Sequence, residues 1–185
     1  MTLADMIVGR RTGRREQRFC IFQVPINVRG TLSITARPRG GDWLEDDVTG
    51  LAQHGVRVVV SLLCDDEQTE LGLHDEGAIC AKHDIEFVAL PVQDRGVPDN
   101  SSEFIAAVHR LASLVRDGSH IAVHCRQSVG RSGVLAVSIA VACGASLQKA
   151  LDAVSEARGV SVPETNEQLE WLRQNVGSLS EPASS

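Results

Sequence analysis

Residues 121–133 read Ile-Ala-Val-His-Cys-Arg-Gln-Ser-Val-Gly-Arg-Ser-Gly, and this stretch decides how the chain is organised. Ile121–His124 is apolar at its start, which is typical of a strand that is covered on both faces. A glycine-bearing turn follows, and Arg131–Cys143 then has the composition of a buried helix. The segment therefore predicts a strand that passes through a short loop directly into a helix.

Strands and helices alternate on both sides of this segment. Val56–Leu63 and Ile85–Pro91 are predicted as buried strands, and Thr31–Ala36 as an edge strand. Helices are predicted at Trp43–His54, Glu67–Leu73, Asp75–His83, Asn100–Asp117, Ser146–Arg158 and Thr165–Val176. This order predicts an α/β fold with a central, mainly parallel sheet of four to five strands flanked by helices on both faces. In such sheets, ligands bind beyond the carboxyl ends of the strands.

Length and composition are those of one folded domain. The 185 residues are 43% hydrophobic and 23% charged, with a mean hydropathy of −0.04. Residues 1–18 are Arg-rich and are expected to be a flexible N-terminal segment. Residues 19–177 are expected to form the single domain, and residues 178–185 a flexible tail.

Charge and hydropathy exclude two classes of partner. The net charge is −6, and because the first 18 residues carry +3, the rest of the chain carries −9. This balance argues against a nucleic-acid binder that depends on neutralising phosphates. No apolar run approaches the ~20 residues that a membrane-spanning helix needs.

The cysteines indicate neither a disulfide framework nor a metal site. There are five, an odd number, and no two of them form a C-x-x-C pair. We therefore expect free thiols, no metal, no cofactor and a reducing, cytoplasmic location.

The loop after the predicted strand is a candidate anion site. Cys125 and Arg131 are separated by five residues, with His124 before the cysteine and Ser132 after the arginine. A short loop that enters a helix points backbone N–H groups inward, at the positive end of the helix dipole, and this field favours a thiolate. An arginine can grip two phosphoryl oxygens, a serine can donate to the thiolate, and the imidazole can fix the loop. A Cβ at Gly130 would block the backbone conformation required there.

The loop therefore binds a phosphoryl dianion and directs a nucleophile at phosphorus. The residues expected to bind phosphate are Arg126, Gln127, Ser128, Val129, Gly130 and Arg131. The alternative is a structural cysteine at a buried strand end, which would leave Arg131 unexplained.

Phosphoryl transfer also needs a proton donor for the leaving oxygen and a base for the water that follows. Asp94 lies after the strand Ile85–Pro91 and should overhang the same edge of the sheet as Cys125. The alternative role, a helix cap or turn former, suits Asp99 better because it precedes Asn100. Asp94 is therefore the predicted general acid.

Together, His-Cys-x5-Arg-Ser and the upstream x-x-Asp-x-Gly-Val-Pro segment resemble the cysteine-based protein tyrosine phosphatase superfamily. The resemblance extends from about Arg37 to Leu172, and the chain length is closest to the dual-specificity branch. It implies a phosphatase domain over residues 19–177. The site residues that it implies are Cys125 as nucleophile, Arg131 as phosphate clamp, Asp94 as general acid and Ser132 as leaving-group helper.

The chain departs from the family pattern at two places. Val92-Gln93 replaces the usual Trp-Pro, and Ser128 stands where the family has glycine. The serine needs either a conventional backbone or a strained one, which puts the shape of the loop and the turnover rate in question.

Composition bears on the substrate. The chain has no tyrosine to stack on a substrate ring, which favours a shallow pocket and action on both phosphotyrosine and phosphoserine/threonine of proteins. Phosphoinositide-directed relatives carry lysines in this loop, whereas here only Arg126 adds charge. Phosphatase activity on a phosphoinositide or another small phosphomonoester, and a low-turnover phosphate-binding module, are the alternatives. The oligomeric state is not indicated.

Four further side chains are candidates for supporting roles. Cys64 ends the strand Val56–Leu63, and the resemblance to lipid phosphatases implies a redox partner for Cys125; the alternative is a small buried hydrophobe. Gln168 either places the hydrolytic water or caps a helix. Glu67 and Glu70 are candidate partners of Arg131 or Arg126.

Overall fold

The computed structural model describes residues 20–180, which form a five-stranded sheet between two layers of helices. The strands are β1 (Ile21–Val24), β2 (Thr31–Thr35), β3 (Val58–Ser61), β4 (Glu86–Ala89) and β5 (His120–His124). Their spatial order is β1-β2-β5-β3-β4. Only the β1–β2 pair is antiparallel among these strands, which confirms the predicted α/β fold with a mainly parallel sheet.

The helices follow the predicted alternation closely. They are α1 (Leu44–Gln53), α2 (Asp65–Leu71), α3 (Glu76–Lys82), α4 (Ser101–Arg116), α5 (Gly130–Ala142), α6 (Leu147–Arg158) and α7 (Asn166–Ser180), with a 3-10 helix at Gly41–Trp43 before α1. The side chain of Asn100 accepts a hydrogen bond from Glu103 N and caps α4, and Ser146 caps α6 in the same way. Both caps leave fewer unsatisfied N–H groups at a helix start.

The two faces of the sheet carry separate hydrophobic clusters because successive strand side chains point to opposite faces. Val60 and Val123 belong to the larger cluster, with residues of α4, α5 and α7. Val59 and Ala122 belong to the smaller one, with residues of α1 and α3. Helix α5 is buried along nearly its whole length, so the loop that precedes it is anchored in the core.

The parallel strands β3, β4 and β5 bring three loops to one edge of the sheet. Ser61 of β3 is in register with His124 of β5 and with Ala89 of β4, so all three strands end together. The residues after these ends are 62–64, 125–129 and 90–98. The candidate site is therefore assembled at the carboxyl edge, as expected for this topology.

The prediction that Thr31–Ala36 is the edge strand is wrong. Ile21–Val24 pairs with β2 on its outer side, so β2 lies inside the sheet and β1 forms one edge. Strand β1 has four residues and ends at Val24, before Pro25. So short a segment has too few positions to show the alternation of a strand. The other edge is β4, whose residues are partly exposed rather than buried.

The predicted flexible tail begins too early in the chain. Helix α7 continues to Ser180, and Leu179 is fully buried, because this side chain completes the apolar face of the helix against the larger cluster. The carbonyl of Ser178 also accepts a hydrogen bond from His109 Nε2 at 2.9 Å. The predicted flexible segment 1–18 lies outside the described residues. Within residues 20–180, no helix is long and apolar enough to span a bilayer.

Candidate active site

Cys125 follows β5 directly and lies at the base of the loop 125–129, which we call the phosphate loop. The residue is buried, with 3% of its surface exposed. Its Sγ accepts a hydrogen bond from Ser128 N at 3.2 Å and lies 3.4 Å from the Ser132 hydroxyl. These contacts place an N–H donor and a hydroxyl group around the sulfur.

Arg131 lies in the first turn of α5, and Glu67 of α2 fixes its guanidinium. Nη1 and Nη2 donate to the two carboxylate oxygens of Glu67 at 2.6 and 2.8 Å. Nη1 also donates to the carbonyls of Val92 (2.9 Å) and Leu62 (3.3 Å). A two-pronged ion pair of this kind holds the planar group in one orientation.

The ion pair favours the charged forms of both Arg131 and Glu67. Burial opposes the charge of Arg131, but the hydrogen bonds of Glu67 and the negative charges of Cys125, Glu67 and Asp94 together outweigh burial and raise the pKa of the guanidinium. The same hydrogen bonds lower the pKa of Glu67. Of the two candidate acids around this arginine, Glu67 is the one that binds it, while Glu70 grips Arg126 at 2.6 and 2.8 Å on the surface.

Asp94 lies at the mouth of the site. Its Oδ1 accepts a hydrogen bond from Arg131 Nη2 at 2.9 Å, and its side chain is 61% exposed. Arg95, the next residue, has a positive φ of 59°, so the chain turns sharply there. The loop that follows β4 thus brings the carboxylate of Asp94 to the guanidinium of Arg131, at the edge of the sheet where the sequence predicts this loop to lie.

The side chain of Gln168, on α7, anchors residues 90–98, which we call the acid loop. Its Oε1 accepts the backbone N–H groups of Glu164 and Thr165, and its Nε2 donates to the carbonyl of Gly96 at 3.0 Å. The side chain is fully buried. Of the two roles considered for Gln168, these bonds match the helix cap, and they add an anchor for the acid loop.

Ser128 adopts the left-handed backbone conformation that glycine favours, with φ of 57°. Three hydrogen bonds surround it. Its N–H donates to Cys125 Sγ, its hydroxyl donates to the Thr35 carbonyl at 2.5 Å, and its carbonyl accepts from Arg158 Nε at 2.6 Å. The serine therefore keeps the loop shape of a glycine and adds a side-chain anchor to β2.

The remaining loop residues differ in where they point. Arg126 is drawn towards Glu70, Gln127 is exposed, and Val129 packs against the larger cluster. A special backbone conformation, the reason expected for a glycine at position 130, does not apply, because the φ of Gly130 is not positive. A Cβ there would lie 2.8 Å from Glu164 Oε2 and 3.2 Å from the amide atoms of Gln168, so it would crowd the side chains that lie over this turn.

His124 does not fix the phosphate loop, contrary to expectation. Its Nε2 lies 2.9 Å from Glu76 Oε1 of α3, and both side chains are buried. The other polar atoms, His124 Nδ1 and Glu76 Oε2, have no hydrogen-bond partner within residues 20–180. Ser61, the register partner of His124, has a similarly unsatisfied hydroxyl, so three buried polar atoms lie behind the strand end.

Cys64 lies at the start of α2, beside the ion pair. Its backbone N–H donates to Glu67 Oε2 at 3.1 Å, the oxygen that also accepts from Arg131. Burial and the charge of Glu67 raise the pKa of the Cys64 thiol, while Arg131 acts in the opposite direction. Within the described part of the chain, no group of three or more His, Cys, Asp or Glu side chains is placed to hold a metal ion.

Sequence reasoning missed Glu76 and Arg158, which contact residues of the site from distant helices. Neither has a motif or a fixed spacing to Cys125. Arg158 showed one local feature, its place in the last turn of a helix before Gly159, where a cation is ordinary. The geometry as a whole provides a buried sulfur, a short loop with an N–H directed at it, a fixed guanidinium and a carboxyl group at the mouth.

Comparisons with known proteins identify the family. A relative described as "Putative tyrosine phosphatase 197R", from Invertebrate iridescent virus 6, is 25% identical over 167 residues, which are 86% of this chain. The chain spans 58% of the length of that viral protein.

Two solved structures share the fold. A kinase associated phosphatase (KAP), solved with serine replacing its catalytic cysteine, superimposes with a TM-score of 0.80 at 17% identity, covering 92% of this chain and 99% of the other. Tk-PTP in its active form gives a TM-score of 0.68 at 25% identity, covering 84% and 97%.

A family model described as "Polymorphic toxin system, DSP-PTPase phosphatase" matches residues 35–145, a range that includes strands β3, β4 and β5, the acid loop and the phosphate loop. Because this match covers more than half of the chain, the chain belongs to the DSP-PTPase phosphatase family of polymorphic toxin systems.

Proposed function

We propose that this chain removes phosphate from proteins, from phosphotyrosine and also from phosphoserine and phosphothreonine, through a phosphocysteine intermediate. One observation carries the proposal. The sulfur of Cys125 is buried at the base of the phosphate loop, where the N–H of Ser128 donates to it and the hydroxyl of Ser132 in α5 lies 3.4 Å away; the same first turn of α5 carries Arg131, which is paired with Asp94.

In the first step, the Cys125 thiolate attacks phosphorus and the bond from phosphorus to the ester oxygen breaks. The phosphoryl oxygens lie among the loop N–H groups and the guanidinium of Arg131, which neutralise the charge that develops. Asp94, as a carboxylic acid, gives its proton to the departing oxygen. The products are the free alcohol and phosphocysteine.

In the second step, water attacks the phosphocysteine and gives its proton to the Asp94 carboxylate. The bond from phosphorus to sulfur breaks, inorganic phosphate leaves, and the thiolate returns. The hydroxyl of Ser132, 3.4 Å from the sulfur, stabilises this leaving thiolate by donating a hydrogen bond.

The bond between Asp94 and Arg131 suggests how substrate prepares the acid. Both hydrogens of Nη2 are used, one by Glu67 Oε1 and the other by Asp94 Oδ1. A phosphoryl oxygen that enters the loop competes with Asp94 for this donor. Once it is released from Arg131, the carboxyl group of Asp94 is free to turn towards the ester oxygen of the substrate.

Charge at the mouth favours protein substrates over inositol lipids. The phosphate loop has no lysine, and its single additional cation, Arg126, is held in a bidentate pair by Glu70. Little positive charge is left for a second phosphate group. The fold itself does not distinguish between these two substrate classes, since PTPMT1 has been solved in complex with PI(5)P and P. aeruginosa TpbA in complex with pTyr.

The experiment compares the parent with D94N, using D99N as a matched control for the loss of a nearby carboxylate. With an alkyl phosphate, D94N is expected to lower kcat by about 10²–10³-fold, because a poor leaving group depends on the acid. With p-nitrophenyl phosphate the loss is expected to be much smaller, and D99N should retain parental rates. Equal rates for D94N and D99N on both substrates would remove Asp94 from the mechanism.

The substrate class is tested by kcat/KM for phosphopeptides and inositol phosphates with the same enzyme. Higher values for phosphopeptides support the proposal, and higher values for inositol phosphates would transfer the function to a phosphoinositide phosphatase. Tight phosphate binding without turnover of either would indicate a binding module instead.

We also propose that Cys64 protects the nucleophile against oxidation. Peroxide converts the Cys125 thiolate to a sulfenic acid, and the Cys64 thiol attacks it to form a disulfide with release of water. The position of Cys64 supports this proposal, because its backbone N–H donates to the same Glu67 oxygen that accepts from Arg131. After peroxide treatment, dithiothreitol should restore activity in the parent and much less in C64S. C143S is the control at another half-buried thiol, and equal recovery in C64S would overturn the idea.

A further inference from the structure

Arg158, in the last turn of α6, contacts the phosphate loop at its most constrained residue. Its Nε donates to the carbonyl of Ser128 at 2.6 Å. The N–H of the same serine donates to Cys125 Sγ, so the arginine holds one side of a residue whose other side is directed at the nucleophile. The left-handed φ of 57° is costly for serine and persists only where neighbours fix it.

The guanidinium of Arg158 is itself held in place by β1. Its central carbon lies 4.0 Å from the centroid of the Phe22 ring, a cation–π contact. The ring on one side and the Ser128 carbonyl on the other leave the side chain little freedom. Arg158 therefore links the edge strand, the last turn of α6 and the phosphate loop.

The charge of Arg158 has no carboxylate partner among residues 20–180. The side chain is half-buried, and no Asp or Glu oxygen of the described residues lies within ion-pair distance of it. Burial lowers the pKa of Arg158, while negative charge on Cys125, and on Cys20, acts to raise it. The guanidinium therefore lies within electrostatic reach of Cys125 while it contacts the carbonyl of Ser128.

We propose that Arg158 is a positioning residue for the nucleophile: it holds Ser128 in the left-handed conformation that aims the N–H at Cys125 Sγ, and it supplies a second cation for the thiolate. This role deepens the proposed function, since it serves the attacking sulfur of that reaction. It also accounts for a serine where the family has glycine, because Arg158 and the Thr35 carbonyl together fix the strained backbone.

Other charged groups of the site stay constant in the test. Arg131 is the one of them that interacts electrostatically with Cys125; Glu67 and Asp94 pair with Arg131, and His124 pairs with Glu76 behind the strand end. A change confined to Arg158 therefore reports its own contribution.

The experiment measures how fast iodoacetamide alkylates Cys125 as a function of pH, by mass spectrometry of the Cys125 peptide. The reagent is neutral, and the readout needs no hydrolysis. R158M is expected to move the pH of half-maximal reactivity up by about one unit, which is about a tenfold slower reaction below that pH. R158K should recover part of the effect, because an ammonium keeps the charge but cannot lie flat on the ring.

R173M is the matched control, since Arg173 is an exposed arginine on α7 paired only with Glu170 among the described residues. Its pH profile should coincide with that of the parent. Coincidence of R158M with the parent would overturn the proposal, and R158Q replaces R158M if circular dichroism shows that the methionine variant does not fold. A parent that fails to hydrolyse phosphate esters while R158M still shifts the alkylation profile would refute the proposed function and leave this inference standing.

Discussion

At the scale of single residues, two glutamates of α2 grip arginines of the phosphate-loop region with the same geometry but in different surroundings. Glu67 and Arg131 are nearly buried, whereas the side chain of Glu70 is 61% exposed and that of Arg126 is 33% exposed. Solvent and salt weaken the exposed ion pair. At the buried pair, water is not available to take over the hydrogen bonds that the Glu67 carboxylate makes to Arg131. Glu67 is therefore the residue on which the orientation of the phosphate clamp depends.

We expect E67Q to destabilise the fold by about 2 kcal/mol at pH 7, because charged hydrogen bonds in a buried site are lost. The pKa of Glu67 is lower in the folded state than its ordinary value of 4.5. The contribution is thus complete above pH 4.5 and is lost as the pH falls through the lowered folded-state value. Urea unfolding at pH 7 and near pH 3 should show a larger difference from the parent at the higher pH.

E70Q is the control at the exposed pair, and no measurable change is expected for it at either pH. A destabilisation by E67Q that is the same at both pH values would show that packing, rather than the charge of Glu67, is responsible.

The residues named from sequence and those missed differ in one respect. Cys125, Arg131 and Ser132 are neighbours along the chain, so a loop leading into a helix is enough to bring them together. Arg158 and Glu76 reach the site from helices whose packing angle no local pattern encodes. The strain at Ser128 could be anticipated as one of two options, but the two bonds that settle it involve β2 and α6.

At the scale of helices and strands, α7 is the element whose observed extent differs most from the prediction. The expected tail contains Leu179, which is fully buried. Serine and proline in the last residues of the chain mask the helical period there, and only packing against the larger cluster shows that the apolar side chain continues it. Strand β1 is missed for the same reason, because tertiary contacts define it. Its four residues form a strand because they pair with β2.

We expect L179A to destabilise the protein by about 3 kcal/mol, the usual cost of removing a fully buried leucine side chain. Denaturant unfolding of the variant and the parent gives the difference. S180A serves as the control one position later, at an exposed residue, and should match the parent. Parental stability for L179A would restore the flexible tail that the sequence suggests.

At the scale of the whole molecule, the sheet order explains why a site spread over the chain converges. The loops after β3, β4 and β5 carry Glu67 through α2, Asp94 and Cys125, and the three strands are parallel neighbours that end together. Alternation of strand and helix predicted this meeting at one edge, so the fold and the catalytic trio Cys125, Arg131 and Asp94 could be proposed from sequence. The outer layer, α6 and α7, then anchors the same loops through Arg158 and Gln168.

The central claim is that phosphate passes through a bond to the sulfur of Cys125, and trapping that bond tests it most directly. The parent is mixed with an aryl phosphate, denatured within milliseconds, digested and mapped by mass spectrometry, with C125S treated in parallel. The account predicts phosphate on the Cys125 peptide during turnover, a burst of aryl alcohol equal to the enzyme present, and neither in C125S. Steady release of alcohol with no phosphate on Cys125, or equal turnover by C125S, would contradict it.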